Sequence, residues 1–263
     1  MKTKAQLAAI NSNANRIVVV AGPGSGKTTT SLARMVRLIN ESVPASAIAA
    51  ITFTNAAALE TESRLANLIP GAKLGFCGTL HSFMLRLLQT NGPLVGFNRA
   101  ISIASESFQN ELIDTLIEDF RWKGSRKAVV DEIARGPFEN VNTPLEVIRG
   151  DYYGRMKKAG LIDFDGILFY GLELVRKQFA PGFQHLFVDE FQDSSTIDFQ
   201  IYQAIKIPNL FIVGDVDQSI YGFRGGNPSL LMRLLESEHG CKFILNENFR
   251  SGKEICEIGR AHV

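Results

Sequence analysis

Arg16-Ile-Val-Val-Val-Ala-Gly-Pro-Gly-Ser-Gly-Lys-Thr28 decides how the rest of this chain is read. Ile17 to Ala21 is an apolar, largely β-branched run of strand length, and it breaks into a loop with glycine at positions 22, 24 and 26. Thr29 and Thr30 then open a helical repeat through Leu32, Met35, Val36 and Ile39. Strand, glycine loop and helix in that order make a phosphate cradle. The backbone N–H groups of Gly24 to Thr28 can close around a phosphate because glycine lets the chain approach, while the positive end of the helix and the Lys27 ammonium oppose its charge. Thr28 supplies a hydroxyl for Mg2+. The cradle is expected to run through Ala21, Gly22, Pro23, Gly24, Ser25, Gly26, Lys27, Thr28 and Thr29. Ala21 occupies the place of the motif's first glycine, and Gly22 follows at once.

Working outward, four more apolar runs are each followed by loop and helical periodicity: Ala49 to Phe53, Leu186 to Val188, Leu210 to Val213 and Phe243 to Leu245. Runs without polar alternation are the mark of strands buried on both faces, so the expected fold class is α/β with a parallel sheet flanked by helices. Between the second and third strands the texture changes. Phe108, Leu112, Leu116 and Phe120 recur at helical spacing, and Thr143-Pro144-Leu145-Glu146 reads as a helix start with cap, first-turn proline and capping-box glutamate. A mostly helical insertion is therefore expected at about residues 89–160, inside a sheet domain formed by 1–88 and 161–245. The basic cluster Lys123, Arg126 and Lys127 in this insertion suits a solvated turn as well as it suits a contact to a nucleic-acid backbone.

A phosphate cradle needs an acidic partner at the end of a neighbouring strand. His185-Leu-Phe-Val-Asp-Glu-Phe-Gln-Asp193 provides an apolar run ending in adjacent carboxylates. Asp189 is expected to hold Mg2+, with Thr28, and Glu190 to orient or deprotonate an attacking water. Charge gives no global signal, with 28 basic against 27 acidic residues, so any nucleic-acid contact must come from a local groove. Cys77, Cys241 and Cys256 lack metal-binding spacing, which suits a reducing compartment, and the apolar stretch Leu7 to Ile10 is too short for a signal-peptide core. A cytoplasmic protein without a membrane span is expected.

These residues together carry a family resemblance. Asp-Glu-Phe-Gln-Asp at 189–193 resembles motif II of UvrD/Rep-type superfamily 1 DNA helicases, and Val213-Gly-Asp-Val-Asp-Gln-Ser-Ile-Tyr-Gly-Phe-Arg-Gly-Gly226 resembles their motif III. Ala50-Ile-Thr-Phe-Thr-Asn-Ala-Ala-Ala58 looks like motif Ia, Gly78-Thr-Leu-His-Ser-Phe83 like motif Ib, and Leu245-Asn-Glu-Asn-Phe-Arg-Ser251 like motif IV. The resemblance implies a RecA-like nucleotide-binding domain with ATP and Mg2+ as cofactors. It implies that Gln6 reads the adenine, that Gln218 senses the γ-phosphate, and that Arg250 is an arginine finger. For single-stranded DNA it points to Phe53, Thr54 and Asn55, to Thr79 and His81, and to Tyr221, Phe223 and Arg224. Aromatic faces stack on unpaired bases with little sequence preference, which suits a motor that must pass any sequence.

The function so implied is an ATP-driven DNA translocase and helicase moving 3′ to 5′, of which this chain holds the ATP- and DNA-binding front portion. Residues 246–263 are expected to begin a second RecA-like domain supplied in cis or in trans, and replication or repair proteins are the expected further partners. The alternative is a stand-alone protein that binds nucleotide and DNA or a protein partner without motor activity. Two departures stand out. Leu161-Ile-Asp-Phe-Asp165 resembles the segment before motif II, but Gly166 follows where the family usually has a further aspartate. Phe223 stands where many members carry tryptophan.

Overall fold

The computed structural model describes residues 2–137, 143–177, 179, 181–215, 229–236 and 241–249. The chain divides into two compact units, Met1–Leu80 with Ala180–Val263, and His81–Phe179.

The first unit is built on a six-stranded parallel sheet. Its strands are β1 (Arg16–Ala21), β2 (Ile48–Ile51), β3 (Phe76–Gly78), β6 (His185–Val188), β7 (Asn209–Gly214) and β8 (Cys241–Leu245), in the spatial order β3-β2-β6-β7-β1-β8. Successive side chains point to opposite faces. Ile17, Val19, Ala21, Ile48, Ala50, Phe187, Phe211, Val213 and Leu245 fill one face, together with Leu32, Met35 and Leu38 of α2 (Lys27–Asn40) and Leu65 of α3 (Asn55–Leu68). The alternate residues Val18, Ala49, Ile51, Leu186, Val188, Leu210 and Ile212 are buried as well. Both faces are covered, as uninterrupted apolar strands require. Phe191 in the short turn after β6 packs edge-on against Phe199 and at a tilt against Tyr202 of α9 (Thr196–Ala204). The unit also holds α1 (Lys4–Asn11) and α10 (Ser229–Glu236). β3 has no counterpart among the apolar runs read from sequence, because it is three residues long and ends in glycine.

The second unit holds α4 (Leu80–Asn91) from its second residue onward, α5 (Glu106–Asp119), α6 (Arg126–Ile133), α7 (Pro144–Ala159) and α8 (Phe164–Arg176). A two-stranded parallel ladder joins β4 (Ser102–Ile103) to β5 (Leu161–Ile162). It is wider than the 89–160 stretch expected from sequence. On α8, Tyr170 packs edge-on against Phe97 at 5.1 Å, and the Lys157 ammonium lies 4.4 Å from its ring centroid, so α8 belongs with this unit. α7 begins with the capping box expected at Thr143 and Glu146, and Pro144 takes the first turn. On α5 the buried stripe is Leu112, Ile113 and Leu116, while Phe108 and Phe120 lie at the ends of the helix and are exposed. Arg126 pairs with Asp114 at 2.7 Å and Lys127 with Asp131, so two members of the basic cluster are engaged in surface ion pairs. Asp163 caps α8 by accepting from the Gly166 N–H at 2.7 Å, and a β-carbon at 166 would stand 2.7 Å from the same carboxylate oxygen. That contact gives a physical reason for glycine at this position.

Candidate functional site

The candidate residues of the first unit follow the carboxyl ends of the parallel strands, where ligands bind in open α/β sheets. The loop after β1 holds residues 22–26, and Gly26 starts α2 with φ +82°, a left-handed conformation that favours glycine. A β-carbon there would also stand 2.8 Å from the Gln6 amide nitrogen. Ser25 is buried and closes the loop on itself, its N–H and hydroxyl both donating to the Gly22 carbonyl at 3.2 and 2.7 Å. Thr30 ties its hydroxyl to the Gly26 carbonyl at 2.9 Å. Thr29 is exposed at the start of α2, as is Pro23 in the loop.

Charges converge on this loop from two neighbouring strands. The Lys27 ammonium lies 3.0 Å from a Glu190 carboxylate oxygen and 3.7 Å from Asp215, which is buried directly after β7. The Thr28 hydroxyl donates to Asp189 at 3.3 Å. Asp189 extends the β6 ladder through its N–H to the Ile51 carbonyl at 3.0 Å, and its carboxylate accepts from the Glu190 N–H at 3.0 Å. Burial, reinforced by Glu190, pushes the Asp189 carboxyl up to about 6. Glu190 itself is held at φ 51°, an uncommon backbone for a non-glycine residue and one found at functional sites.

One hydroxyl and one carboxylate on facing elements suit Mg2+, which keeps several waters and uses few protein ligands. The loop amides, Lys27 and the helix start suit a polyphosphate. Among the described residues no cluster of three or more His, Cys, Asp or Glu side chains could hold a metal by protein ligands alone.

Two members of the cluster escaped the sequence reading. Gln192, buried in the turn after β6, donates from its amide to Glu190 at 2.8 Å and accepts from the Asp215 N–H at 2.9 Å. Asp215 carries the signal that identified Asp189, a carboxylate just past a buried strand, and could have been found by the same logic.

Gln6 lies on α1 and is buried. Its amide donates to the Ser25 carbonyl at 2.9 Å, and its side-chain oxygen accepts from the Thr3 N–H at 2.9 Å within a capping box. Phe53, Thr54, Asn55 and Thr79 follow the adjacent strands β2 and β3, joined by the Thr52 N–H to Gly78 carbonyl bond of 2.9 Å. Phe53 is half-buried, Thr54 caps α3, and Asn55 is exposed as its first residue. In the sheet order this end is separated from β1 by β6 and β7. His81 belongs to the second unit, with its ring 5.7 Å from that of Phe164. Gln218, Tyr221, Phe223, Arg224 and Arg250 lie outside the described residues. Phe249, the neighbour of Arg250, donates its N–H to the Gly24 carbonyl at 2.9 Å.

Comparison with known proteins matches residues 2–239 to the UvrD/REP helicase N-terminal domain. The chain belongs to this family. Relatives within the wider UvrD/REP group include a probable DNA helicase II homolog of Mycoplasma capricolum, 26% identical over 98% of this chain and 40% of its own length. The ATP-dependent DNA helicase PcrA of Leuconostoc citreum is 27% identical over 97% of the chain and 38% of its own length. PcrA of Bacillus subtilis is 28% identical over 95% and 38%. The chain thus spans about two fifths of the length of these UvrD/REP relatives. Among the described residues no helix is long and apolar enough to cross a membrane.

Proposed function

We propose that this chain is the ATP- and single-stranded-DNA-binding front portion of an ATP-dependent DNA translocase and helicase moving 3′ to 5′. The observation that carries the reading is the meeting of Lys27 and Thr28, from the loop after β1, with Asp189 and Glu190, from the end of β6. On this reading Ala21 to Thr29 cradle the phosphates, Thr28 and Asp189 hold Mg2+, and Glu190 takes the proton of the attacking water. Bound Mg2+ supplies charge stabilisation to the phosphates. Lys27 neutralises charge on the transferred group, and Gln192 holds the Glu190 carboxylate in place. Gln6 reads adenine, Gln218 senses the terminal phosphate, and Arg250 reaches the same group as an arginine finger. On this reading the first compact unit is the first RecA-like domain, apart from residues 246–263, which begin the second, and the second compact unit is the helical insertion, in place of the 89–160 read from sequence.

Single-stranded DNA runs over Phe53, Thr54, Asn55 and Thr79, over Tyr221, Phe223 and Arg224, and over His81. Stepping requires two RecA-like domains closing on nucleotide, so the family's second domain is needed in cis or in trans, and replication or repair proteins supply the context. The test uses purified residues 1–263 with Mg-ATP, a labelled single-stranded oligonucleotide and a tailed duplex. We expect binding of nucleotide and single strand, slow hydrolysis and no unwinding, with unwinding restored when a second RecA-like domain is supplied in cis or in trans. Robust unwinding by 1–263 alone, abolished by Glu190→Gln, would overturn the two-domain requirement. Absence of Mg-ATP binding would overturn the site.

A further inference from the structure

α1 is a poor helix by its own sequence. It has eight residues, no acidic residue in its first turn and no basic residue in its last, and isolated helices of this length are not stable in water. Ala9 and Ile10 bury its apolar side in the core, and hydrogen bonds at both ends tie it to the segment that carries the phosphate loop. At its start, Gln6 closes the capping box with Thr3 and donates to the Ser25 carbonyl at 2.9 Å. At its end, the carbonyls left without helical partners are taken by α2. One guanidinium nitrogen of Arg34 donates to the carbonyls of Ala9, Ile10 and Ser12 at 3.0, 2.9 and 2.8 Å. Arg37, one turn further on, donates to the Ile10 carbonyl at 2.9 Å and to the Asn13 side chain at 2.7 Å.

Arg34 is buried to 4% exposure. Its guanidinium lies 5.3 Å from the centroid of the Phe211 ring on β7, which fixes it from the sheet side as well. Burial draws its pKa down to about 10, which leaves the group charged at neutral pH. A buried cation is costly unless it is partnered, and here one guanidinium nitrogen meets the carbonyl end of a neighbouring helix. α2 is also the helix that opens with Lys27 and Thr28. The cation that fastens α1 and the groups that face the phosphate site therefore lie on one helix.

We propose that Arg34 and Arg37 are positioning residues for the nucleotide base: by clamping the carboxyl end of α1 to α2, they hold Gln6 over the phosphate loop. The proposal rests on the reading of Gln6 as the adenine-recognising residue. Base recognition is set by the placement of α1 and phosphate recognition by the loop itself, so loosening the clamp should affect one and spare the other.

The test is calorimetric titration of the 263-residue chain with ATP, GTP and inorganic tripolyphosphate, each with Mg2+. Gln6→Ala should remove the preference for ATP over GTP. Arg34→Met should weaken ATP binding by about tenfold and erase most of that preference, with tripolyphosphate affinity within about twofold of the parent. Arg37→Met, at a partly exposed position, replaces it if Arg34→Met does not fold, and should weaken ATP by about threefold with the same selectivity. Loss of preference in Gln6→Ala but parental preference in the folded arginine variants would overturn the clamp and leave the base reading intact. A parallel fall in ATP and tripolyphosphate affinity in the arginine variants would also overturn it, since the arginines would then support the loop as a whole. Parental behaviour of Gln6→Ala would overturn the base reading and the clamp together.

Discussion

Buried charge is handled differently in the two units. In the second unit Arg149, at 1% exposure, donates to Glu132 at 2.8 Å, and Asp163 accepts from both the Gly166 N–H and the Tyr152 hydroxyl, at 2.7 and 3.0 Å. Each charge there has a close partner in a fixed element, which is how burial of charge is made tolerable within a fold. At the phosphate loop the same residue types crowd together. Lys27 lies between Glu190 and Asp215, while Asp189 and Asp193 are both pushed up to about 6 by burial and by Glu190. Carboxylates outnumber cations in this cluster, so a divalent ion and a phosphate change its balance in a way they could not at Arg149. On the proposed function, the difference separates charge buried for stability from charge buried to meet a ligand.

The largest expected effect breaks the saturated cluster. Arg149→Met leaves buried Glu132, among the described residues, with the largely exposed Arg135 at 3.6 Å as its remaining cation, and should cost roughly 3–5 kcal/mol in denaturant unfolding of the second unit. A loss below about 1 kcal/mol would show that the pair is not structural. The second effect lies at the other cluster. Lys27→Ala should lower Mg-ATP affinity by about a hundredfold. Unchanged nucleotide affinity in the folded variant would sink the phosphate-site reading.

The third and smallest effect is a pH dependence. A carboxyl whose folded pKa is raised above its unfolded value is favoured when protonated, so its contribution is present below the unfolded pKa and is lost as pH rises through about 6. Without Mg2+ the protein should therefore lose of the order of 1–2 kcal/mol of stability between pH 5 and pH 7 from Asp189. Asp189→Asn should flatten that part of the profile and leave the share due to Asp193. An unaltered pH profile in Asp189→Asn would remove Asp189 from the strained cluster.

The phosphate loop and the carboxylates after β6 were legible in the sequence because the chemistry is contiguous there: glycine, lysine and threonine sit within a few positions, and the acidic pair directly follows its strand. The bridging role of Gln192 is not legible in its motif, because its two partners, Glu190 and Asp215, meet only when β6 and β7 pair. Nothing beside Arg34 in the sequence marks it as buried, and only the position of α1 shows why it is. The width of the second unit was hidden for a similar reason. Tyr170 of α8 meets its partners Phe97 and Lys157 only in the folded unit.

The left-handed backbone at Glu190 has a consequence for how variation at this position is read. A library of substitutions there would score two properties at once, the functional group and the tolerance of each side chain for a positive φ. β-branched replacements would fail for backbone reasons alone, whereas asparagine and glycine would relieve the strain while removing the carboxylate. Glu190→Gln keeps both the length of the side chain and the backbone penalty, so its comparison with Glu190→Gly separates what the carboxylate does from what the twisted peptide stores.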